Sequence, residues 1–341
     1  MIGYLVRRVG LTVLTLVTVS FVAFCGFGVS LDPSSPLRLS PDQRPRHAVV
    51  AYYHLEDPIL SRYWRYAKGF AHHGFGSPVS TTTHDNKVVT DGIQPIWPGL
   101  SSSLWVSFQL VGFALALMVV ISVALGVFSA RRPGSIVDGA VRFITYASWS
   151  IPTFLIAFLM RRWILSGQTV SNFVYGPQSA STNGSHPFLI GPPAGGVVDW
   201  FQHMTLPALA LALGLIGVYA RYVRSAMLVS LAQPYATVAR AKGLSEGRII
   251  RVHVLRNSLI PFVSALSLEL GAVVGASLAA DYVFGLGGLA SFTISSLGQS
   301  DPFLMTAVVM ALALVVMLFV TLGDLVVGWL DPRARIAAAR A

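Results

Sequence analysis

Three histidines in one polar stretch of this sequence are candidate metal ligands. His72 and His73 are adjacent, and His84 follows in the same polar stretch. Imidazole nitrogen is a good zinc ligand. Adjacent residues do not share a helix face, however, and the single cysteine, Cys25, lies far away in the sequence. We therefore expect polar loop histidines and predict no metal bound by this chain.

The lysines argue against nucleotide hydrolysis by this polypeptide. A phosphate-binding loop needs Gly-Lys-Ser or Gly-Lys-Thr. The three lysines are Lys68, Lys87 and Lys242, and none of them follows a glycine. Gly-x-Ser-x-Gly and His-Glu-x-x-His are also absent, which removes the common serine-hydrolase and zinc-protease interpretations. We predict a protein that is not an enzyme and binds no cofactor itself.

Composition indicates a membrane protein. Of the 341 residues, 54% are hydrophobic and 11% are charged. A soluble domain carries about 25% charged residues, so this chain has too little charge to cover a water-facing surface. The net charge of +10 could indicate nucleic-acid binding. Because the charges fall between apolar runs, cytoplasmic loops and lipid headgroups explain them better.

Apolar runs predict an all-α, polytopic membrane protein that forms a single transmembrane domain over residues 1–341. A spanning helix needs about 20 mostly apolar residues. Six segments qualify or nearly do, namely 9–30, 104–130, 136–160, 204–220, 258–283 and 303–330. The first is longer than a signal-peptide core and lacks a small-residue cleavage site, so we expect a retained span. One cysteine allows no intramolecular disulfide.

Basic residues set the predicted orientation, with both termini in the cytoplasm. Cytoplasmic loops carry an excess of Lys and Arg. With the N-terminus inside, fourteen of the 24 basic residues fall on the cytoplasmic segments, which are 1–8, 131–135, 221–257 and 331–341. Segment 31–103 is then a long outer loop, within which 56–76 could form an amphipathic helix. The second outer loop, 161–203, is rich in Gly, Ser and Pro and is expected to be irregular.

Two acidic residues fall within the predicted fifth span. A carboxyl group at mid-membrane depth costs a few kcal/mol unless it faces protein or water. Glu269 is therefore either a group lining a transport pathway or a hydrogen-bonded residue between packed helices; Asp281, near the outer end, is a weaker candidate for an outer gate. Gly271 and Gly275 form a Gly-x-x-x-Gly spacing that lets helices approach closely, either within this chain or against a second subunit.

The basic segment 235–257 interrupts the apolar runs. Pro234 can begin a helix, Gly243 can end it in the left-handed conformation, and Ser245 followed by Glu246 can begin the next helix. The segment therefore predicts a short helix, a glycine break and a second helix that leads into the fifth span. A solvated basic loop is the alternative. We expect Ala236, Ala239 and Ala241 to project with Arg240 and Lys242 toward a partner.

The sequence "YATVARAKGLSEGRIIRVHVLRNSLIP" resembles the cytoplasmic loop of ABC-importer permeases, specifically the dipeptide/oligopeptide (DppB/OppB-like) branch. Further similar stretches occur in the same order along the chain: "YLVRRVGLTVLTLVTVSFVAF", "HLEDPILSRYWRY", "SIPTFLIAFLM", "RYVRSAML", "DYVFGLGGL" and "LDPRAR". At 237–239 the chain has Thr-Val-Ala where the general importer pattern has Glu-Ala-Ala. The family usually has Glu where this chain has Asp281.

The resemblance implies a type I ABC-importer permease fold in a bacterial inner membrane. It implies that 221–257 is a coupling loop, whose short helix seats in a groove of a separate ATPase subunit. The residues that it assigns to this contact are Tyr235, Ala236, Ala239, Arg240, Ala241, Lys242, Gly243, Leu244 and Ser245. The implied partners are a paralogous permease, two P-loop ATPase subunits, which hold ATP and magnesium, and an extracytoplasmic substrate-binding protein.

The cargo stays open at this point. Dipeptides or oligopeptides are the first expectation, and nickel, glutathione or haem are alternatives carried by the same importer type. An ion-gradient transporter is a different class of protein. Such folds usually contain inverted repeats around a midplane site, and this sequence shows no repeat and only Glu269 as a candidate proton-binding group.

Overall fold

A computed structural model of the chain describes residues 2–35, 38, 44–73, 79–84, 87–93, 96–166, 196–298 and 300–330. Within these ranges most residues are helical, because an apolar chain in a bilayer must satisfy its backbone polar groups internally. The elements in chain order are α1 (Ile2–Ser30), α2 (Arg44–Tyr53), α3 (Ile59–His73), β1 (Val79–His84), β2 (Lys87–Ile93), α4 (Trp97–Arg131), α5 (Ile136–Ser150), α6 (Thr153–Ser166), α7 (Val197–Leu231), α8 (Pro234–Ala241), α9 (Glu246–Arg248), a π-helical segment (Ile249–Val254), α10 (Leu255–Phe284), α11 (Leu289–Gly298) and α12 (Pro302–Leu330).

The helices confirm the prediction of an all-α, polytopic membrane protein. Among the described residues, five helical stretches are long and apolar enough to cross a membrane, or up to seven if each of two bent helix pairs is one span. The six predicted spans agree with this range. The predicted third span is one of the bent pairs, since α5 and α6 meet at 96°. Ile151 is extended there, as expected for a residue before proline.

Two predicted boundaries were wrong. The fourth predicted span, 204–220, is part of the 35-residue helix α7, which continues through Pro207 and beyond the apolar run at both ends. Residues 221–231, at the start of the predicted cytoplasmic segment 221–257, are therefore helical. The second outer loop was expected to be irregular over 161–203, but α6 and α7 cover its two ends. Residues 167–195 lie outside the described residues.

The first outer loop contains regular structure. The predicted amphipathic helix is present as α3, and α2 precedes it. Strands β1 and β2 pair in an antiparallel hairpin, in which His84 lies opposite Lys87. The register shifts between Ser80 and Thr81.

The described chain falls into two compact units. The first comprises Met1–Tyr4, Ser107–Leu286 and Val316–Ala341, and the second comprises Leu5–Val106 and Gly287–Val315.

In the first unit, α7 packs closely against α4 and α5. A Cβ atom added at Gly126 would lie 2.6 Å from the Cβ of Val223, and one added at Gly217 would collide with the backbone carbonyl of Thr145. Only glycine permits this approach. The buried core around α7 includes Met118, Ile216, Tyr219, Val223 and Met227. Helix α7 is thus closely packed within the first unit, and α8 follows it directly in the chain.

Candidate functional site

Helix α8 is short because residues at both of its ends stop it. Pro234 occupies the first turn, where its missing N–H leaves no partner unsatisfied. At the other end Gly243 has a φ of +77°, and its N–H donates to the carbonyl of Arg240 at 2.9 Å. The N–H of Leu244 reaches the carbonyl of Ala239 at 3.3 Å. This left-handed closure is the glycine break that the sequence predicts.

The buried face of α8 corrects the expected docking surface. Ala236 and Ala239 do not project outward: they lie in the buried core with Ile249, Ile250 and Val254. Their small side chains let α8 lie close to the π-helical segment. The two alanines therefore anchor the helix to its own chain and are not available to a partner.

The opposite face of α8 and the residues after it are exposed. We call this set the α8 surface; it consists of Tyr235, Thr237, Val238, Arg240, Ala241, Lys242 and Gly243. Val238 is 52% exposed and Tyr235 is 36% exposed. Exposed apolar side chains beside cations are typical of a protein contact. Leu244 is half-buried, and Ser245 is exposed.

Of the two cations on the α8 surface, Arg240 forms an ion pair with Glu246. The Nε of Arg240 donates to the Oε1 of Glu246 at 2.6 Å, and a second nitrogen lies 3.5 Å from Oε2. The hydrogen bond that Arg240 donates to Glu246, and the negative charge of Glu246, raise the pKa of Arg240 above its ordinary value. The pair spans the glycine break and connects α8 to the first residue of α9.

The chain then returns to the membrane without a loop. Ser245 has the extended conformation of an N-cap, as predicted, but its side chain makes no capping hydrogen bond. Its carbonyl instead accepts the N–H groups of Arg248 and Ile249. Helix α9, the π-helical segment and α10 follow directly. The helical backbone is thus continuous from α9 to α10, and α8 is joined to it by residues 242–245 and by the packing of Ala236 and Ala239.

The sequence analysis missed an ion pair between α5 and α7. Asp138, on α5, is only 1% exposed and receives two nitrogens of Arg224, on α7, at 2.7 and 2.9 Å. The hydroxyl of Ser129, at the end of α4, and the N–H of Gly134 also donate to this carboxylate. Charge-assisted bidentate pairs are strong and directional. The cluster connects α4, α5 and α7, and its member on α7, Arg224, lies ten residues before α8 begins.

Glu269 lies on the exposed side of α10. Its Oε2 accepts a hydrogen bond from the Tyr219 hydroxyl at 3.2 Å. Tyr219 itself is fully buried, and its ring meets Phe262 edge to face at 5.7 Å. The carboxyl group is thus held by α7 on one side while the residue is open on the other. Within the part of the chain that the structure describes, Glu269 is not enclosed between helices.

The remaining predicted membrane residues separate into two environments. Gly271 and Gly275 are exposed, and a Cβ added at Gly275 would meet nothing within 4 Å. A Cβ at Gly271 would lie 3.7 Å from Val316. Asp281 is 1% exposed, and its carbonyl accepts the N–H of Gly285, which ends α10. Asp281 and Glu269 therefore do not share one surface.

Arg221 lies in α7, one residue beyond the predicted fourth span. Its guanidinium lies over the rings of Tyr146 at 4.8 Å and Trp149 at 5.4 Å. Both aromatic side chains belong to α5 and are exposed. Stacking on aromatic faces stabilises a cation in a poorly hydrated place.

No group of metal ligands among the described residues includes the histidines of the first outer loop. His73 ends α3, and His84 ends β1. Among the residues that the structure describes, no three His, Cys, Asp or Glu side chains come together as a group that could hold a metal ion.

Comparisons with known proteins define the class of this protein. Residues 122–336 match the model of the family described as "Binding-protein-dependent transport system inner membrane component". This stretch is more than half of the chain and contains α8, the Asp138 cluster and Glu269. The chain belongs to this family.

Similar curated proteins cover nearly the whole chain. The dipeptide transport system permease protein DppB of Bacillus subtilis is 30% identical over 98% of this chain and 99% of its own length. DppB of Lactococcus lactis is 29% identical over 98% of this chain and 100% of its own length. The oligopeptide transport system permease protein OppB of Mycobacterium tuberculosis is 27% identical, covering 99% and 100%. The similarity to DppB/OppB permeases inferred from the sequence motifs is confirmed.

A solved structure shares the fold. The chain resembles one from the MetNI methionine ABC transporter in an inward-facing conformation, with a TM-score of 0.52 and 22% identity. The match covers 70% of this chain and 98% of that chain. The predicted ABC-importer permease fold is confirmed.

Proposed function

We propose that this chain is one of two paralogous permease subunits of an ATP-driven importer for dipeptides or oligopeptides. The observation that carries the proposal is α8, a short helix with an exposed, partly apolar and cationic face between two membrane helices. The DppB and OppB relatives, which match over nearly their whole length, support peptides as the cargo.

The α8 surface is the proposed contact with an ATPase subunit. Val238 and Tyr235 supply apolar area, and Arg240 and Lys242 supply charges that orient an acidic partner. Because Ala236 and Ala239 attach α8 to the π-helical segment, force applied to the exposed face reaches α10 directly. ATP and magnesium would be held by two partner ATPase subunits, and this chain would move without doing covalent chemistry.

The proposed transport cycle is alternating access. An extracytoplasmic binding protein delivers the peptide to the outer loops, and closure of the ATPase subunits moves α8 and the helices attached to it. Glu269 is the proposed pathway group, since its carboxylate is available on the exposed side of α10 to meet a peptide amine. Asp281 has the weaker claim as an outer gate because it is buried. Both termini are placed in the cytoplasm in this proposal, as the distribution of basic residues predicts.

A purification tests the subunit assignment. The chain would be extracted gently from its native membrane, and the proteins that accompany it would be identified and counted by mass spectrometry. We expect a second permease and P-loop ATPase subunits in stoichiometric amounts. A chain that purifies alone or as a homo-oligomer would contradict the proposal.

A substitution tests the coupling role. Gly243→Asp adds a side chain at positive φ and a negative charge beside the α8 surface. We expect an assembled complex that loses substrate-stimulated ATP hydrolysis, whereas the matched Gly247→Asp variant, at a position with open space and ordinary backbone, retains more of it. Wild-type stimulation in Gly243→Asp would refute the coupling assignment.

Two alternatives have specific tests. The same importer type could carry nickel, glutathione or haem, and binding measurements on the cognate binding protein would distinguish these cargoes. The exposed carboxylate of Glu269 is the observation that favours an ion-gradient transporter. Uptake that survives ATP depletion but is abolished by an uncoupler, and is lost in Glu269→Gln, would support this alternative over the importer.

A further inference from the structure

Helix α3, in the predicted outer loop, packs beside the first membrane span, and one of its side chains reaches the middle of that span. The hydroxyl of Tyr63 is 2.9 Å from the Ser20 hydroxyl and 3.5 Å from the Val17 carbonyl. Both residues are in the middle of the 21-residue apolar stretch Gly10–Ser30. The Tyr63 ring also meets Phe21 and Phe24 at 5.1 and 5.6 Å. A side chain in these contacts is at the depth of the lipid hydrocarbon.

Neighbouring contacts fix the rest of α3 near the outer end of the same span. Ile59 would touch a Cβ added at Gly28, and Arg62 donates to the Gly28 carbonyl at 3.2 Å. Tyr66 stacks on Phe24 at 5.0 Å. Helix α3 therefore lies beside the outer half of α1 and not in the water above it.

The apolar arc of α3 is wider than its contacts with the protein. At about 100° per residue, the side that meets α1 contains Ile59, Tyr63 and Tyr66, and the arc continues through Leu60 and Trp64. Leu60 is 63% exposed and Trp64 is 61% exposed. At the far edge of this arc, the ammonium group of Lys68 lies 5.3 Å from the centroid of the Trp64 ring. The order around the helix is protein contact, open apolar surface and then cation.

This order matches a helix that lies in a membrane interface. Such helices place Leu and Trp among the lipid chains and keep Lys and Arg at the headgroups. Trp favours the boundary itself. Arg65, which pairs with Asp57, adds to the polar side.

We propose that α3 is an interfacial anchor, and that Leu60 and Trp64 contact phospholipid in the leaflet at the Ser30 end of α1. The exposed face continues the surface of a span whose own side chains Val17 and Val22 are 53% and 63% exposed. The cations beside it suit anionic headgroups. The inference requires only that α1 crosses the membrane, and it does not depend on the proposed cargo.

Spin-label accessibility tests the anchor. In a Cys25→Ser background, nitroxide labels would be placed at Leu60→Cys and Trp64→Cys, with Glu56→Cys, exposed in the turn before α3, as the control. The assembled complex would be reconstituted in nanodiscs of phosphatidylethanolamine and phosphatidylglycerol. Retained ATP hydrolysis would show that each labelled complex is intact.

We expect the more effective of the two relaxation reagents to differ between the α3 positions and the control position. Oxygen, which concentrates in lipid, should relax the labels at 60 and 64 more than a water-soluble nickel chelate does, and the chelate should dominate at 56. Dominance of the chelate at all three positions would mean a water-facing surface, such as a site for a binding protein, and would overturn the inference. Low accessibility to both reagents at 60 and 64 would mean cover by another subunit and would overturn it as well.

Discussion

The glycine that ends α8 allows a quantitative test of the local structure. Gly243 has a φ of +77°, and a Cβ added there would meet nothing within 4 Å. Gly243→Ala therefore changes only the backbone preference, which costs about 1–2 kcal/mol for an L-residue in the left-handed region. The matched Gly247→Ala also enters open space but keeps an ordinary φ, and alanine there should stabilise the helix by about 0.5–1 kcal/mol.

Hydrogen–deuterium exchange of the assembled complex measures the difference in local stability between the two variants. A loss of one or two kcal/mol changes the ratio of closed to open forms by about 5–30-fold. Amides of 235–244 should exchange faster by that factor in Gly243→Ala, and at the wild-type rate or slower in Gly247→Ala. Equal acceleration in both variants, or none in Gly243→Ala, would refute the assignment of Gly243 as the structural end of α8.

Three further outcomes follow from the packing. Asp138→Asn should destabilise the folded chain by about 2–4 kcal/mol, because it leaves Arg224, whose side chain is only 20% exposed, without its counter-ion. Denaturant unfolding measures this loss, and a change below about 1 kcal/mol would contradict a structural role. Burial raises the pKa of Asp301 to about 6. The protonated carboxyl group therefore stabilises the folded chain below its unfolded pKa of about 4, and this contribution is lost as the pH rises to about 6. The thermal midpoint of the wild type relative to that of Asp301→Asn should fall across this range, and a difference that does not depend on pH would refute the pKa assignment. Gly217→Ala should lower the thermal midpoint more than Gly139→Ala, which enters open space, and equal midpoints would contradict the close helix contact.

The sequence was sufficient to predict the membrane spans and the residues at which α8 begins and ends. Apolar runs of about 20 residues cross a bilayer as helices, and Pro234 and Gly243 restrict the backbone locally. The spans and the ends of α8 could therefore be predicted without tertiary information. The ends of α7 could not be read in this way, because the helix continues past the apolar residues on which the prediction depended.

The direction of side chains on α8 needed the tertiary structure. Ala236 and Ala239 suit a partner contact and a contact with the π-helical segment equally well, and only packing decides between them. Asp138 and Arg224 are far apart in the sequence, and nothing local marks them as a pair. The position of α3 beside α1 depends on contacts such as Tyr63 to Ser20, which no periodicity predicts.

Site-specific photo-cross-linking tests the coupling claim most directly. A photoreactive amino acid would replace Val238 on the α8 surface in the native membrane, and Val22, equally apolar and 63% exposed on the first span, would serve as the control. We expect Val238 to form a cross-link to a P-loop ATPase subunit that changes in yield when ATP is added, and Val22 to form none. A Val238 position that never captures an ATPase, in a complex that hydrolyses ATP, would contradict the account.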